Sequence, residues 1–478
     1  MSHRGGNNRN SHRGGGGGGS YRGGGFGGGR GGGGGRNHNA FGGKGGKGGG
    51  GRGGGGGGGD GGDLKLCKFY VEGGQCQNQQ CKFSHALLRV CDVCLPAGAG
   101  GAGGAAPGAA NPFGAMPAAH HAPAGGGGSA AVRSIGVLNP PGGQLQVAAG
   151  GRGAPGAGAW ALFGSTTWAP EHVEALGVEV SVLLVEPPFV YAGYEMAVPA
   201  GTPRQPVGVS VGCVRATDTS TGASLNFQQS DALPFAHTHK VNAIAASPSG
   251  VVATAGSEAA INLWTYAAGG AETAAGVPGQ FTFGGTLDGH VREVSALAFL
   301  GDFLLSGSVD TTLRVWQPAG GNRACAAVVN RESGGPSGPV TALTLFKFGE
   351  PAEDYFAYGS MDKSVRVCTP ADVMNGTTTT QFACDAEPTA LAMGSGGGLG
   401  AEQILLVGLI NGNIEMRSPQ SGFMVRATLG ISSATRVGHA ASGPVRALFA
   451  GEGYWCSGGE DGKLMVWQWS GPMPAPPS

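Results

Sequence analysis

Three cysteines and one histidine stand close together near residue 70, and their types suit metal binding. Cys67 is followed by eight residues and Cys76, then by four residues and Cys81, then by three residues and His85. Thiolate sulfur and imidazole nitrogen are the ligands of closed, tetrahedral structural zinc sites. About twenty residues cannot build a hydrophobic core, so a metal would have to supply the folding energy of this segment. The spacing therefore predicts one structural Zn²⁺ ion.

Aromatic and basic side chains lie beside these four residues. The pattern Cys-x8-Cys-x4-Cys-x3-His resembles the CCCH zinc-finger family, whose fingers of this type bind single-stranded RNA by inserting aromatic rings between bases. The resemblance implies base stacking by Phe83, Phe69 and Tyr70, and phosphate contacts by Lys65, Lys68 and Lys82. Each stacked base would contribute about 1–3 kcal/mol to RNA binding.

Two departures from the family pattern keep a second interpretation open. Four residues separate Cys76 from Cys81, where the commonest family spacing is five. Asn78 stands where the strongest RNA binders carry an aromatic ring. Some fingers of this family bind proteins, so protein contact or a purely structural role is the alternative to RNA binding.

The remaining cysteines do not form a disulfide pattern. Cys91 and Cys94 are an isolated pair, which fits surface thiols without a dedicated role, a second zinc site or part of a larger ligase-type module. Four scattered residues are expected in the core: Cys213, Cys325, Cys384 and Cys456. The sequence shows no secretory hydrophobic segment and no run of eighteen apolar residues. A reducing compartment and no membrane association are therefore expected.

The net charge of +0 conceals two oppositely charged parts. Residues 1–95 carry 13 Lys+Arg and 4 Asp+Glu, a surplus of +9, so the remainder carries −9. Arginines set in glycine within this basic part suit phosphate contacts, and Tyr21, Phe26 and Phe41 suit base stacking. An inert solubilising tail is the alternative.

Composition divides the chain into five parts. Residues 1–62 form a disordered Gly/Arg-rich tail, 63–90 the zinc finger and 91–130 a flexible Gly/Ala/Pro linker. Residues 131–470 read as short strands separated by Gly, Ser and Asp turns, and 471–478 form a short tail. The linker predicts that the finger and the strand-rich part move semi-independently.

A repeat with a period near fifty runs through the strand-rich part. Trp264, Trp316, Cys368, Arg417 and Trp467 are spaced 52, 52, 49 and 50 residues apart. Stepping back by the same interval reaches Val214 and then Phe163. Turn residues stand six positions before the five later positions: Glu258, Asp310, Asp362, Asn411 and Asp461. The sequence therefore predicts seven copies of a four-stranded unit.

These repeats resemble the WD40 β-propeller family. The alignment places Gly-His only at Gly289-His290, and it takes His239 as the histidine of the repeat that ends in Trp264. The resemblance implies structural roles for eight residues: His239, Trp264, His290, Asp310, Trp316, Asp362, Asp461 and Trp467. The predicted fold is all-β, a seven-bladed propeller preceded by a small CCCH zinc finger and a disordered tail.

The end of the chain leaves the last blade short of one strand. After Lys463 to Trp469 only a proline-rich stretch remains, so an outer strand must come from before residue 131 or be missing. The candidate stretch, 111–129, is poor in β-branched residues. The sequence therefore predicts a closing blade with a short or absent outer strand.

The order of the parts is similar to a family of plant and algal CCCH-WD40 proteins. The segments CKFYVEGGQCQNQQCKFSH, EALGVEVSVLLVEPPFVYAGYE and KLMVWQW carry this resemblance. No nucleotide-binding loop and no nucleophile elbow appear, so we expect no enzyme and no small-molecule substrate.

The expected function is a zinc-binding RNA adaptor in the nucleus, with protein partners on the propeller. A ubiquitin-pathway or chromatin scaffold without RNA binding is the alternative function, and cytoplasmic ribonucleoprotein granules are the alternative location.

Overall fold

The computed structural model of this chain separates residues 1–58 from a second, compact unit, Gly59–Ser478. All described residues belong to the second unit: 66–82, 84–94, 131–138, 144–152, 158–165, 168, 170–198, 210–230, 233, 235–267, 279–317, 324–375, 377, 380–395, 402–431, 433, 436–440, 443–451 and 453–470. The expected tail 1–62, the stretch 95–130 and the end 471–478 lie outside the described residues.

Two elements precede the first blade, the helix α1 (Lys68–Gly73) and the strand β1 (Leu87–Cys94). Blade 1 contains β2 (Ala131–Leu138), β3 (Gln146–Arg152), β4 (Gly158–Gly164) and β5 (Pro170–Ala175). Blade 2 contains β6 (Val180–Glu186), β7 (Phe189–Ala197), β8 (Ser210–Asp218) and β9 (Ser224–Asn226). Blade 3 contains β10 (Val241–Ala246), β11 (Val251–Gly256), β12 (Ile261–Ala267) and β13 (Gln280–Leu287).

Blade 4 contains β14 (Val294–Leu300), β15 (Phe303–Ser308), β16 (Leu313–Trp316) and β17 (Cys325–Val329). Blade 5 contains β18 (Val340–Phe348), β19 (Glu353–Ser360), β20 (Ser364–Cys368) and β21 (Thr380–Ala383), with the helix α2 (Pro370–Met374) between its last two strands. Blade 6 contains β22 (Pro388–Ser395), β23 (Gln403–Leu409), β24 (Ile414–Ser418) and β25 (Met424–Leu429). Blade 7 contains β26 (Val445–Ala450), β27 (Tyr454–Gly459), β28 (Lys463–Trp469) and β1. Short 3₁₀ helices span Arg331–Ser333 and Pro419–Ser421.

These seven antiparallel sheets form a closed ring. The first strand of each blade contacts the first strand of the next, and β26 contacts β2. Small residues on the second strands allow this close approach. A Cβ atom on Gly307 would lie 2.4 Å from the Val340 side chain of the next blade, and one on Gly458 would lie 2.4 Å from Val132. The predicted seven-bladed, all-β fold is therefore confirmed. No helix among the described residues is long and apolar enough to cross a membrane.

Blade 7 closes differently from the expectation. Its outer strand is β1, which comes from before residue 131 as expected but is eight residues long and pairs antiparallel with β28 from Leu87↔Trp469 to Cys94↔Lys463. The prediction of a short or absent outer strand is wrong. β1 also crosses the boundary placed between residues 90 and 91, so the linker cannot begin there. The strand was missed because its partner lies at the far end of the sequence.

The Cys/His module, residues 66–86, packs against the propeller. Leu66, Val71 and Ala86 are buried in one hydrophobic cluster with Trp467 and Trp469 of blade 7 and with side chains of blade 6. The expectation of a semi-independent finger is therefore wrong. The cause is that the module runs directly into β1, which belongs to the propeller.

Candidate metal centre and propeller contacts

The backbone of the module brings its four candidate ligands together. Cys67 caps the start of α1, and its N–H donates to the Ser84 carbonyl oxygen at 2.9 Å. Gly74 ends the helix in the left-handed conformation with φ of 66°, which a residue without Cβ adopts at little cost. Its N–H donates to the Tyr70 carbonyl oxygen at 2.8 Å. The chain is thereby turned back so that the segment before His85 lies beside Cys67.

The sulfur and nitrogen atoms of the four residues form a compact cluster. The ligand atoms of Cys67, Cys76, Cys81 and His85 all lie within 4.8 Å of one another. A tetrahedral zinc ion with Zn–S distances of about 2.3 Å requires ligand separations of about 3.8 Å. The buried His85 Nε2 has no hydrogen-bond partner among the described residues, so it is oriented as a metal ligand would be. The cluster could hold a metal ion, and its donor set fits zinc.

The protein alone disfavours a thiolate at the most buried ligand. Burial raises the pKa of the Cys67 thiol, and the neighbouring Cys76 and Cys81 thiols raise it further, whereas the backbone at Tyr70 lowers it. A bound cation would supply the positive charge that lets three thiolates lie together.

The predicted RNA-contacting residues have different surroundings. Phe69 is 74% exposed, so its ring is available for stacking. The Tyr70 ring stacks on the His85 ring, with a centroid distance of 4.5 Å and an interplanar angle of 11°. Tyr70 is half-buried and packs on a candidate ligand, so it contributes to the packing of the module, and its role in base stacking stays a prediction.

The basic residues of the module lie at its surface. Lys68 forms an exposed ion pair with Glu72, with Nζ and Oε2 4.0 Å apart, and Lys82 is exposed. Phe83 and Lys65 lie outside the described residues.

The second cysteine pair belongs to the closing strand. Cys91 lies in β1 and packs with Val466 and Cys456 in the core between blades 7 and 1. Burial raises the pKa of the Cys91 thiol well above its ordinary value. Cys91 is therefore partly buried and packs against this core, so the expectation of a surface thiol pair does not hold for it.

Three blades contain the same buried polar chain, which joins an indole, a hydroxyl, an imidazole and a carboxylate. In blade 4, Trp316 Nε1 donates to Ser306 Oγ at 2.7 Å, and His290 Nε2 lies 2.7 Å from the same oxygen. His290 Nδ1 lies 2.8 Å from Asp310 Oδ2. Burial opposes the charge on Asp310, but its hydrogen bonds from His290 and Thr312 outweigh burial and lower the pKa of this carboxyl. The chain ties the loop before the first strand to the turn after the second.

Blade 7 contains the same arrangement around a histidine that the sequence alignment missed. Trp467 Nε1 donates to Ser457 Oγ at 3.0 Å, and His439 lies 2.8 Å from Ser457 Oγ and 2.9 Å from Asp461 Oδ1. Gly438-His439 is thus a second Gly-His pair.

In blade 3 the histidine assigned from the sequence is incorrect. His237, not His239, lies 2.7 Å from both Thr254 Oγ1 and Glu258 Oε1, and Trp264 Nε1 donates to Thr254 at 2.8 Å. His239 lies two residues after the buried His237, in the loop that leads into β10, and is exposed. The histidine precedes the turn acid by 20, 21 and 22 residues in blades 4, 3 and 7. This nearly constant spacing would have identified both His237 and His439 from the sequence.

The described residues of blades 5 and 2 do not form this polar chain. Asp362 accepts hydrogen bonds from Ser337 N–H at 2.9 Å and from the Ser364 hydroxyl at 2.5 Å, and pairs with Arg366. In blade 2 the strand register places Thr217, not Val214, opposite Val190 at the position of the tryptophans. The repeat spacing misplaced this residue because blade 2 has a longer third strand.

A family-model match supports the WD40 repeats. The family model "WD domain, G-beta repeat" (WD40) matches residues 281–317 and 430–468, the segments that contain Gly289-His290 and Gly438-His439. None of the curated proteins compared with the chain matches it. The crystal structure of the computationally designed Ika8 protein (crystal packing No.1 in P63) is similar, with 18% identity, a TM-score of 0.45 and coverage of 72% of this chain and 97% of that one. A seven-bladed propeller with WD40 repeats indicates a protein-interaction scaffold with protein partners.

Proposed function

We propose that this protein is an RNA-binding adaptor in which a zinc-holding module contacts single-stranded RNA while the propeller binds protein partners. Zinc, bound by Cys67, Cys76, Cys81 and His85, acts as a structural ion that folds the module. The observation that carries the RNA proposal is the exposed ring of Phe69, two residues from the buried ligand Cys67.

The charge of the neighbouring sequence supports an anionic ligand. Residues 1–95 carry a surplus of +9, and the exposed Lys82 and Lys68 lie on the module itself. Positive charge held near one stacking ring attracts phosphates without reading sequence, so affinity depends on salt. The module then supplies stacking, and the basic sequence supplies most of the long-range attraction.

Binding of a fluorescent single-stranded RNA to the purified full chain tests this proposal. Phe69→Ala removes one stacked base, about 1–3 kcal/mol, so the Kd is expected to rise about 5- to 150-fold. Tyr266→Ala is the matched control, since Tyr266 is an exposed aromatic residue of blade 3. Equal affinities for wild type and Phe69→Ala would contradict a stacking role for Phe69.

A protein scaffold without RNA binding, in a ubiquitin-pathway or chromatin complex, is the second candidate. It is favoured by the packing of Tyr70 on His85 and of Val71 into the propeller, which uses part of the module for structure. Crosslinking to RNA in cells distinguishes the two functions. Signal in wild type that is lost in Cys81→Ser supports the adaptor, and absence of signal in both supports the scaffold.

We also propose a nuclear location, in keeping with an RNA-binding adaptor, with cytoplasmic ribonucleoprotein granules as the alternative. Imaging of the tagged full chain distinguishes them. Exclusion of the protein from the nucleus would overturn the nuclear assignment and leave the RNA proposal to the binding experiment.

A further inference from the structure

We propose that metal binding by the Cys/His module closes the propeller, because the filled site holds β1 in place as the outer strand of blade 7. This inference rests on the proposed zinc occupancy. In this proposal the bound ion folds the module and also stabilises the pairing of β1 with β28.

Hydrogen bonds connect a candidate ligand directly to the last strand. Ser470 follows β28, and its backbone N–H donates to the Ala86 carbonyl oxygen at 2.9 Å. Its hydroxyl donates to the carbonyl oxygen of His85. β1 begins at Leu87, two residues after His85. Fixing His85 on a metal therefore fixes the residues that start the β1–β28 pairing.

The module and the closing blade also share one hydrophobic core. Leu66, Val71 and Leu87 are almost fully buried in the cluster that contains Trp455 and Trp467. α1 has only six residues, too few to be stable as an isolated helix in water. The position of Val71 in this core therefore depends on the folded module, and the packing around Trp467 depends on Val71.

Apart from the module, β1 is held by its pairing with β28 and by side chains such as Val93 that pack on the core between blades 7 and 1. β1 and β28 stand at opposite ends of the propeller sequence, so no short hairpin joins the two strands. If β1 leaves, β28 becomes an edge strand with unpaired backbone groups. The outer strand of blade 4, β17, instead follows its partner β16 after only eight residues. The outer strand of blade 7 thus lacks the covalent tie to its partner that β17 has, and a filled metal site beside β1 would add a further hold.

The size of the effect follows from linkage. An ion that binds only the closed arrangement favours it by a factor of 1 plus the ratio of free ion to Kd. At a free zinc concentration about 100 times the Kd, opening of β1 becomes about 100-fold less frequent. Hydrogen exchange of β1 amides reports this opening directly.

The test measures hydrogen–deuterium exchange of the full wild-type chain with zinc and after removal of zinc by a chelator. We expect zinc removal to accelerate exchange about 100-fold in Leu87–Cys94 and in the amides of Lys463–Trp469 that pair with β1. Exchange in Cys325–Val329 of blade 4 is expected to stay unchanged. Readdition of zinc should restore the original rates.

Two variants of α1 separate the packing from the ligands. Val71→Asp leaves all four ligands in place but disrupts the shared core, so zinc should still bind while its protection of β1 falls at least tenfold. Glu72→Ala is the control on the exposed face of the same helix and should retain both zinc binding and protection.

The tetrahedral absorption bands of bound Co²⁺ show whether the site fills. Filling of the site with unchanged exchange in β1 would overturn the closure proposal and leave the proposed zinc occupancy intact. Absence of cobalt bands in the wild-type chain would overturn both.

Discussion

A buried ion pair in blade 6 replaces the polar chain of blades 3, 4 and 7. Arg417 stands at the tryptophan position, and its Nε and Nη2 donate to Glu415 Oε2 at 2.8 and 2.6 Å. It also donates to the carbonyl oxygens of Phe423 at 2.9 Å and Ala383 at 2.7 Å. Its guanidinium lies 4.4 Å from the centroid of Phe382. We predict that Arg417 and Glu415 stabilise blade 6 only as a unit.

The expected magnitudes follow from what each substitution leaves unpaired. Glu415→Leu leaves a buried guanidinium without its counter-ion, which costs about 3–5 kcal/mol. Arg417→Met leaves a buried carboxylate and two carbonyl oxygens, so its cost is at least as large. The double variant removes both charges and leaves unpaired the two carbonyl oxygens and the Asp385 N–H, which donates to Glu415 Oε1 in the wild type. Its cost should therefore fall short of the sum of the single costs by about 3 kcal/mol.

Calorimetric melting of the purified full chain measures these costs. With an unfolding entropy of about 2.1 cal/mol/K per residue over about 340 residues, each kcal/mol lowers the Tm by about 1.4 °C. Each single variant should then melt about 6 °C below wild type. The decrease in Tm of the double variant should be clearly smaller than the sum of the two single decreases. Lys347→Met is the control, because it breaks the exposed pair with Asp354 and should shift the Tm by about 1 °C or less. Additive shifts in the double variant would refute the reasoning.

Two further predictions concern the polar chain and the ring closure. The lowered pKa of Asp310 means that its stabilising contribution is complete above about pH 4, the ordinary range of an aspartate, and is lost as the pH falls towards the folded-state pKa. Asp310→Asn should therefore melt well below wild type at pH 6, and the difference in Tm should narrow steadily as the pH is lowered below about 4; a constant difference would contradict the assignment. Arg133 of blade 1 donates to Glu460 of blade 7 at 2.5 Å, so Arg133→Met should lower the Tm by about 3 °C. Arg152 is more exposed, so Arg152→Met should lower the Tm by less than half as much. Equal decreases in Tm would show that the ion pair between blades 1 and 7 contributes nothing extra.

Much of the propeller could be predicted because its polar chain needs distinctive residue types. An indole and a turn carboxylate six residues apart recur at Trp316 and Trp467, and the structure places both in equivalent chains. The register failed in blade 2, where Thr217 carries no such signature. His439 could also have been found from its spacing to the turn acid. It precedes Asp461 by 22 residues, and His290 precedes Asp310 by 20 residues.

The closing strand could not be predicted from local pattern alone. LLRVCDVC alternates in the way a strand does, but its pairing partner begins at Lys463, so only the topology reveals the contact. The spacing of Cys91 and Cys94 indicates only a thiol pair, with or without a metal, although both lie in the strand β1. The four candidate ligands, in contrast, could be assigned from spacing, because a metal site this compact is formed by residues close in sequence.

Because the module packs onto blade 7, the proposed RNA binding by the module and protein binding by the propeller would be geometrically linked. A finger on a flexible linker would let RNA and a protein partner bind with little geometric restriction. Here Phe69 lies on α1, whose Val71 is part of the same core as Trp467 of the propeller. If RNA binds as proposed, the position of a base stacked on Phe69 would be fixed relative to the blades, and RNA and protein would bind together only where their geometry matches that fixed arrangement. Since the same core includes the closing strand, we expect a loss of zinc to displace both the proposed RNA-binding surface and the outer strand of the last blade.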